Sequence, residues 1–317
     1  MAGGELRHGV ELSNLDQRLF DGAEATKRDL VDYLEFAGER LLRVLRGRPL
    51  SVVRVRPGQE PFTQKNLPKY TPEWVARTTV WAQSSRREIT YALCDDLPTL
   101  IWFGNQRAVE YHPTLFLADS APEPTHLVLD LDPAPGQTFA DAVAGARLIR
   151  AALAADGLTG AVKTSGSKGL HVFVPVVAGI DAEDAAAATR AIAARAERID
   201  PAVGTTAFLL EDRHGKVFLD ATRAGGATVA AAYSPRIRPG TTVSCPLRWS
   251  DLDDVTPADF TVRTVPALLG DNDPWRSEMP AAQELPRDLV EEGHTIPVAR
   301  VQAMHEGKRR ARARRAE

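Results

Sequence analysis

The chain has 317 residues, 44% of them hydrophobic and 26% charged, which is the composition of an ordinary soluble globular protein. Its formal net charge of −3 gives no overall attraction to nucleic acid, so any such site must come from a local patch. Cys94 and Cys245 are too few to build a zinc site, and there is neither an apolar signal region nor an apolar run of membrane length. These features predict a cytoplasmic protein with no membrane partner and with free thiols rather than a disulfide.

In chain order, residues 1–10 are polar and Gly-bearing and read as a flexible N-terminus. Thr26 is a natural N-cap for a helix from Lys27 to about Arg46, with Leu30, Leu34, Ala37, Leu41 and Leu45 at helical spacing and Gly47 as its stop. Leu50–Val55 reads as a strand. Residues 57–74 are a Pro-rich loop in which Phe62, Lys65, Lys69, Tyr70 and Trp74 interleave cations with aromatics. That pattern suits single-stranded nucleic acid, whose bases stack on rings, and equally suits a loop with buried aromatics. Ile89–Leu93 is a strand, Leu97–Phe103 a short helix and Val109–Pro113 a strand carrying His112.

The next strand carries the strongest chemical signal. In Leu127-Val128-Leu129-Asp130-Leu131-Asp132-Pro133, alternation puts Asp130 and Asp132 on one face with their Cα atoms roughly 7 Å apart. Pro133 ends the strand. Such a pair can hold a hard cation such as Mg²⁺ or Mn²⁺, or can be a strand that ends in solvated acids. An Ala-rich helix follows over Thr138–Ala155. Then a Gly- and Ser-rich turn, Ser165-Gly166-Ser167-Lys168-Gly169, sits between two short strands and is followed by His171. Its N–H groups, hydroxyls and Lys168 suit a triphosphate, though the spacing is not that of a Walker loop. Asp181 caps a second Ala-rich helix to about Arg198, and Lys216–Asp220 is a strand presenting a third acid. Three strand-borne acids and one phosphate-type loop point to two-metal nucleotidyl transfer by Asp130, Asp132 and Asp220.

Beyond Asp220, Arg223–Gly226 reads as a flexible turn and Val229–Tyr233 as a strand. Arg236 follows and either meets a polyphosphate or an acidic metal ligand, or is a plain surface cation. Residues 240–262 read as strand and loop, then comes the stretch Val265–Leu269, and Asp271–Trp275 closes the compact region. Residues 276–306 are a weakly patterned extension. Lys308–Arg315 holds six cations and reads as a basic tail, either idle or gripping phosphate backbone without sequence preference.

Four stretches, LVLDLDPAPG, KTSGSKGLHVFVP, VFLDATRAGGATVAAAYSPR and TTVSCPLRWSDL, resemble the polymerase domain of bacterial ligase D, a primase-polymerase of the archaeo-eukaryotic superfamily. The resemblance runs from about Leu12 to Trp275. It implies an α/β (α+β) primase-polymerase fold: two β-sheets, with a catalytic core of RNA-recognition-motif type flanked by helices. It implies a stand-alone catalytic domain over residues 11–306, between the N-terminus and a tail at 307–317. It further implies gap filling in DNA repair, at short gaps or breaks, on DNA bearing a 5′-phosphate. The family prefers ribonucleotides but takes NTP or dNTP with two Mn²⁺ or Mg²⁺ ions, and the resemblance also implies a DNA ligase and end-binding proteins as partners. By the same resemblance His112 joins Ser165, Lys168, His171 and Arg236 at the nucleotide, and Asn14, Gln17, Lys27, Phe62 and Lys65 fall where the family meets DNA. Relatives carry Lys at position 17, so Gln17 predicts a weaker grip on the 5′-phosphate. They carry a second aromatic at position 63, so Thr63 predicts a reduced stacking platform.

Two other readings remain. A haloacid-dehalogenase phosphatase also sets Asp-x-Asp at a strand end, but wants a Thr soon after, where Pro133 and Ala134 stand here. A DNA-end-binding repair factor would use the same acids only structurally.

Overall fold

The structure is a computed structural model describing residues 4–82, 86–224 and 228–298. In chain order its elements begin with β1 (Glu5–Arg7), β2 (Val10–Leu12), α1 (Lys27–Leu45), β3 (Pro49–Arg56) and β4 (Gln59–Gln64). Next come β5 (Arg77–Ala82), β6 (Arg87–Leu93), α2 (Leu97–Asn105), β7 (Ala108–Pro113) and β8 (His126–Asp132). Then follow α3 (Phe139–Ala155), β9 (Ala161–Thr164), β10 (Leu170–Pro175), α4 (Ala182–Ile199), β11 (Gly204–Thr205) and β12 (Val217–Asp220). The last are β13 (Pro246–Leu247), α5 (Val265–Leu269), α6 (Pro274–Glu278) and α7 (Arg287–Thr295). The α+β class that the resemblance implies is the one found. No helix among the described residues is long and apolar enough to cross a membrane.

The chain divides into two compact units. The first is Met1–Pro122 with Lys163–Ser167 and Thr228–Ser277. Here α1 starts where the sequence says: Thr26 and Asp29 close a reciprocal capping box, satisfying donors that the first turn leaves free. The predicted stripe Leu30, Leu34, Ala37, Leu41 and Leu45 is fully buried. A five-stranded sheet runs β4-β3-β6-β5, with β7 also paired to β3. In that pairing His112 lies opposite Ser51 and Glu110 opposite Val53, so the two share one face of β7.

The second unit is Glu123–Val162 with Lys168–Ala227 and Glu278–Glu317. Its sheet has the strand order β11-β12-β8-β10-β9. β8 is central and antiparallel to both neighbours, with Asp130 opposite His171 on β10 and opposite Asp220 on β12. Leu127, Val128, Leu129 and Leu131 of β8 are fully buried, so the strand is fixed by its apolar residues while its acids lie at one end. Gly169 is required there: a Cβ on it would come within 2.1 Å of the Leu131 carbonyl oxygen.

Several expectations change. Residues 4–10, expected to be flexible, belong instead to a small ribbon in which β1 pairs with β2. β4 and β5 were hidden in the sequence because each is an edge strand. β4 contains Pro61, which an edge tolerates, and β5 leaves Trp81 54% exposed. Val229–Tyr233 is not a strand. Its amides make two bonds to β7, from Val229 to Pro113 and from Ala231 to Tyr111, and then Tyr233 turns left-handed at φ 67°. Residues 240–262 hold β13, isolated bridges and a single 3-10 turn at Pro257–Asp259, and Val265–Leu269 is helical. The extension after Trp275 contains α7, which packs on the Ala-rich α4. It buries only Leu289 and Gly293, too few to show a period in the sequence. Arg195 of α4 fastens it through Glu292 at 2.6 Å. The basic tail and the Gly225–Gly226 turn lie outside the described residues. Cys94 and Cys245 are both buried free thiols, as expected.

Candidate active site

The three strand-end acids do come together. Asp130 and Asp220 are directly opposed across β8 and β12, which sets their Cβ atoms about 5 Å apart. Asp132 follows two residues later on the same face. Asp130, Asp220 and His171 are buried, and His171 Nε2 lies 3.3 Å from Asp130 Oδ1. Burial, with the like charges of Asp130 and Asp220 behind it, pushes the Asp132 carboxyl up to about 6. Two arginine charges oppose this excess of acid, Arg223 and then Arg213. Arg223, three residues past Asp220, sets Nη2 2.9 Å and Nε 3.1 Å from Asp130 Oδ2, with Nε 3.4 Å from Asp220 Oδ2. The Thr222 N–H donates to Asp220 Oδ1 at 2.8 Å. Among the described residues no three His, Cys, Asp or Glu side chains converge as a ready-made metal cage. The guanidinium instead neutralises the facing carboxylates. The donor set is nonetheless one that an oxygen-preferring divalent cation fits: buried, paired, like-charged carboxylates at a strand end.

The phosphate-type loop is a tight turn between β9 and β10, as the sequence predicts. Its first half belongs to the first unit. Gly166 sits at φ 71° with no room for a side chain, since a Cβ would lie 2.5 Å from Arg236 Cγ. Arg236 Nη1 donates to the Ser165 carbonyl at 2.5 Å, and the Ser165 hydroxyl accepts from the Ser167 N–H at 3.2 Å. Beneath the loop Lys163 is fully buried and donates to Ser244 Oγ at 2.6 Å. Lys168, in the second unit, is exposed and makes no ion pair among the described residues.

A group that sequence reasoning passed over is Glu110. It is 9% exposed, and its Oε2 lies 2.9 Å from His112 Nε2 while its Oε1 lies 3.1 Å from Arg236 Nε. The Ile237 N–H donates to Oε1 at 2.9 Å. Burial opposes its charge, yet the His112 hydrogen bond, the Arg236 charge and the Ile237 amide together hold the carboxyl down at about 2. The signal was available: an acid two residues before a His, on the same face of an apolar strand.

The predicted DNA-facing residues form two groups. Asn14, at φ 53°, and Gln17 are exposed on the loop before α1, while Lys27 is buried at the start of the helix, with Nζ donating to the Ser13 carbonyl. Arg107, also missed, donates to Gln17 Oε1 and to the carbonyls of Arg18 and Leu19. Burial and the Arg107 charge lower Lys27 to about 8. Neither cation has a carboxylate within ion-pair distance among the described residues. Phe62 lies on β4, with the guanidinium carbons of Arg54 and Arg56 5.5 and 5.2 Å from its ring centre. Lys65 follows, exposed.

Comparison with known proteins gives the family. The family described as LigD, primase-polymerase domain, matches residues 26–275. The bifunctional non-homologous end joining protein LigD of Bacillus subtilis is 33% identical over 261 residues, which are 81% of this chain and 42% of that protein. The multifunctional non-homologous end joining protein LigD of Mycobacterium bovis is 36% identical over 256 residues, 77% of this chain and 34% of that protein. The chain thus spans less than half the length of these relatives. A solved polymerase domain of Mycobacterium tuberculosis ligase D in complex with DNA superposes with a TM-score of 0.79 at 33% identity. The match covers 86% of this chain and 99% of that one. With its acids at the ends of β8 and β12 and its sequence matched over 250 consecutive positions, the chain belongs to the LigD primase-polymerase domain family.

Proposed function

We propose that this protein is a template-directed nucleotidyltransferase that adds nucleotides, preferably ribonucleotides, to a primer 3′ end in short gaps or at breaks during DNA repair. The observation that carries the reading is the opposition of Asp130 and Asp220, with Asp132 on the same face, in a chain of the primase-polymerase family. The relatives named for non-homologous end joining, and the relative solved with DNA, support the setting.

Asp130, Asp132 and Asp220 would hold two Mn²⁺ or Mg²⁺ ions. Bound there, such ions lower the pKa of a primer hydroxyl and neutralise charge on a leaving pyrophosphate. The protein's own groups do the rest. Ser165 and the N–H groups of its loop offer donors to phosphate oxygens. Lys168, exposed and without an ion pair among the described residues, supplies a mobile charge to a triphosphate. His112, His171 and Arg236 complete the nucleotide contacts. Arg223 holds Asp130 and Asp220 in register until a cation replaces it. On the DNA side Lys27, Asn14 and Gln17 address a 5′-phosphate, and Phe62 with Lys65 offers a ring and a charge to the template.

The test is primer extension on a gapped duplex with labelled ATP and dATP, with and without Mn²⁺. Metal-dependent extension that favours ATP supports the reading. DNA binding without any extension would leave an end-binding repair factor instead.

A further inference from the structure

Glu110 is an anion beside groups assigned above to a triphosphate. It sits 2.9 Å from His112 and 3.1 Å from Arg236, and it stays ionised despite its burial. On charge alone this is a poor place for a carboxylate, because it repels the ligand. What it offers is order. Arg236 and His112 are long or rotatable side chains, and each loses rotamer freedom when fixed. Glu110 fixes both before a ligand arrives. Its own backbone is held by β7, and its Oε1 is tied to the Ile237 N–H next to Arg236. Arg236 in turn reaches the Ser165 carbonyl, so one carboxylate connects three of the candidate nucleotide contacts. Arg236 also keeps capacity in reserve. Its buried Nε–H is close to Glu110 but not aligned on it, and has no aligned acceptor among the described residues.

Resting on the nucleotidyltransferase reading, we propose that Glu110 is a positioning residue that presents His112 and Arg236 to the polyphosphate of the incoming nucleotide. Two effects of removing its charge compete. Lost repulsion would tighten nucleotide binding, whereas lost order would weaken it. Order wins in this assignment, so the sign of the change is diagnostic.

The experiment measures the dissociation constant for ATP with Mn²⁺, together with KM and kcat for extension, in wild type and in E110Q, H112Q and E110Q/H112Q. Glu110→Gln keeps the side-chain shape, and circular dichroism at 25 °C checks that each variant is folded. Glu110→Asp, which keeps the charge but shortens the side chain by one carbon, serves as a second variant. E110Q and E110D should each weaken ATP binding about tenfold, as one misplaced charge-assisted contact would. KM should rise more than kcat falls. The double variant should bind ATP little worse than H112Q alone, since the role runs through that histidine and its neighbour. Unchanged or tighter ATP binding in both E110Q and E110D overturns the assignment, as does strict additivity in the double variant. Wild type that binds no ATP at all sinks this assignment and the nucleotidyltransferase reading together. Normal wild-type binding with an indifferent Glu110 sinks only the former.

Discussion

The acid cluster on β8 and β12 and the Glu110 cluster on β7 are built from the same parts in opposite proportion. The first has three carboxylates and a histidine, with the Arg223 guanidinium on two of the carboxylates, Asp130 and Asp220. The second has one carboxylate between an imidazole and a guanidinium. Burial raises the pKa of a carboxyl in both, but the neighbours decide the outcome: Asp132 goes up to about 6 and Glu110 goes down to about 2. A site with acid to spare is completed by a cation, and one with N–H donors to spare by an acceptor such as a phosphate oxygen. On the proposed reading, metal would occupy the first and polyphosphate the second.

The sharpest way to break the comparison is to empty the first cluster of charge. Asp132→Ala should lower extension by on the order of a thousandfold, since metal stabilisation of transition-state charge is worth several kcal/mol. Binding of gapped DNA, measured by anisotropy, should change little. Residual activity near wild type would mean that the acids are structural.

The opposite pKa shifts also give opposite pH dependence. Glu110 is depressed, so the unfolded chain holds its proton more tightly and stability is lost as pH falls from about 4.5 to 2. Asp132 is raised, so the folded chain holds the proton more tightly and stability is lost as pH rises from about 4 to 6. At about 1.4 kcal/mol per pKa unit each amounts to about 3 kcal/mol. Urea unfolding across pH should show Glu110→Gln flattening the acid side only and Asp132→Asn flattening the pH 4 to 6 interval only. Mn²⁺ should reverse the loss in that interval. If both variants shift the same interval, the contrast between the clusters is wrong.

Lys168 sharpens the phosphate side. It is exposed and free of ion pairs among the described residues, so its removal should cost little stability. Lys168→Ala should raise KM for nucleotides 10- to 100-fold, the range of about 1.5–3 kcal/mol for a charge-assisted contact. An unchanged KM and kcat removes it from the site.

How much of this was legible beforehand follows from which interactions are local. The Asp130/Asp132 strand, the Thr26 cap and the buried stripe of α1 all follow from period and from capping chemistry, which act within a few residues. The turn between β9 and β10 was visible for the same reason. Glu110, Arg107 and Arg223 were not singled out, because their partners come from distant parts of the chain: Arg236 for Glu110, Gln17 for Arg107, Asp130 for Arg223. The false strand at Val229–Tyr233 has the same origin. Its β-prone ends suit a ladder, but the turn at Tyr233 is fixed by tertiary bonds, with Tyr33 Oη donating to its carbonyl and Tyr233 Oη donating to Asp273.

The smallest effect concerns residue 17. Its lack of charge predicts a weak hold on a 5′-phosphate, but the Arg107 guanidinium rests on Gln17 and adds a cation beside Lys27. Arg107→Ala should therefore reduce the preference for 5′-phosphate over 5′-hydroxyl gaps by up to about tenfold in competition binding. Gln17→Lys should gain less than that. A larger gain from Gln17→Lys than loss from Arg107→Ala would show that Arg107 does not face the phosphate.

The central claim, that the cluster with surplus acid is a divalent-cation site, is tested most directly by titrating Mn²⁺ and following free ion by electron paramagnetic resonance. Wild type should bind Mn²⁺ saturably, Asp130→Ala/Asp220→Ala should lose that binding, and Arg223→Gln should bind more tightly than wild type because no guanidinium competes for Asp130 and Asp220. Equal Mn²⁺ binding in wild type and in the double variant would contradict the account.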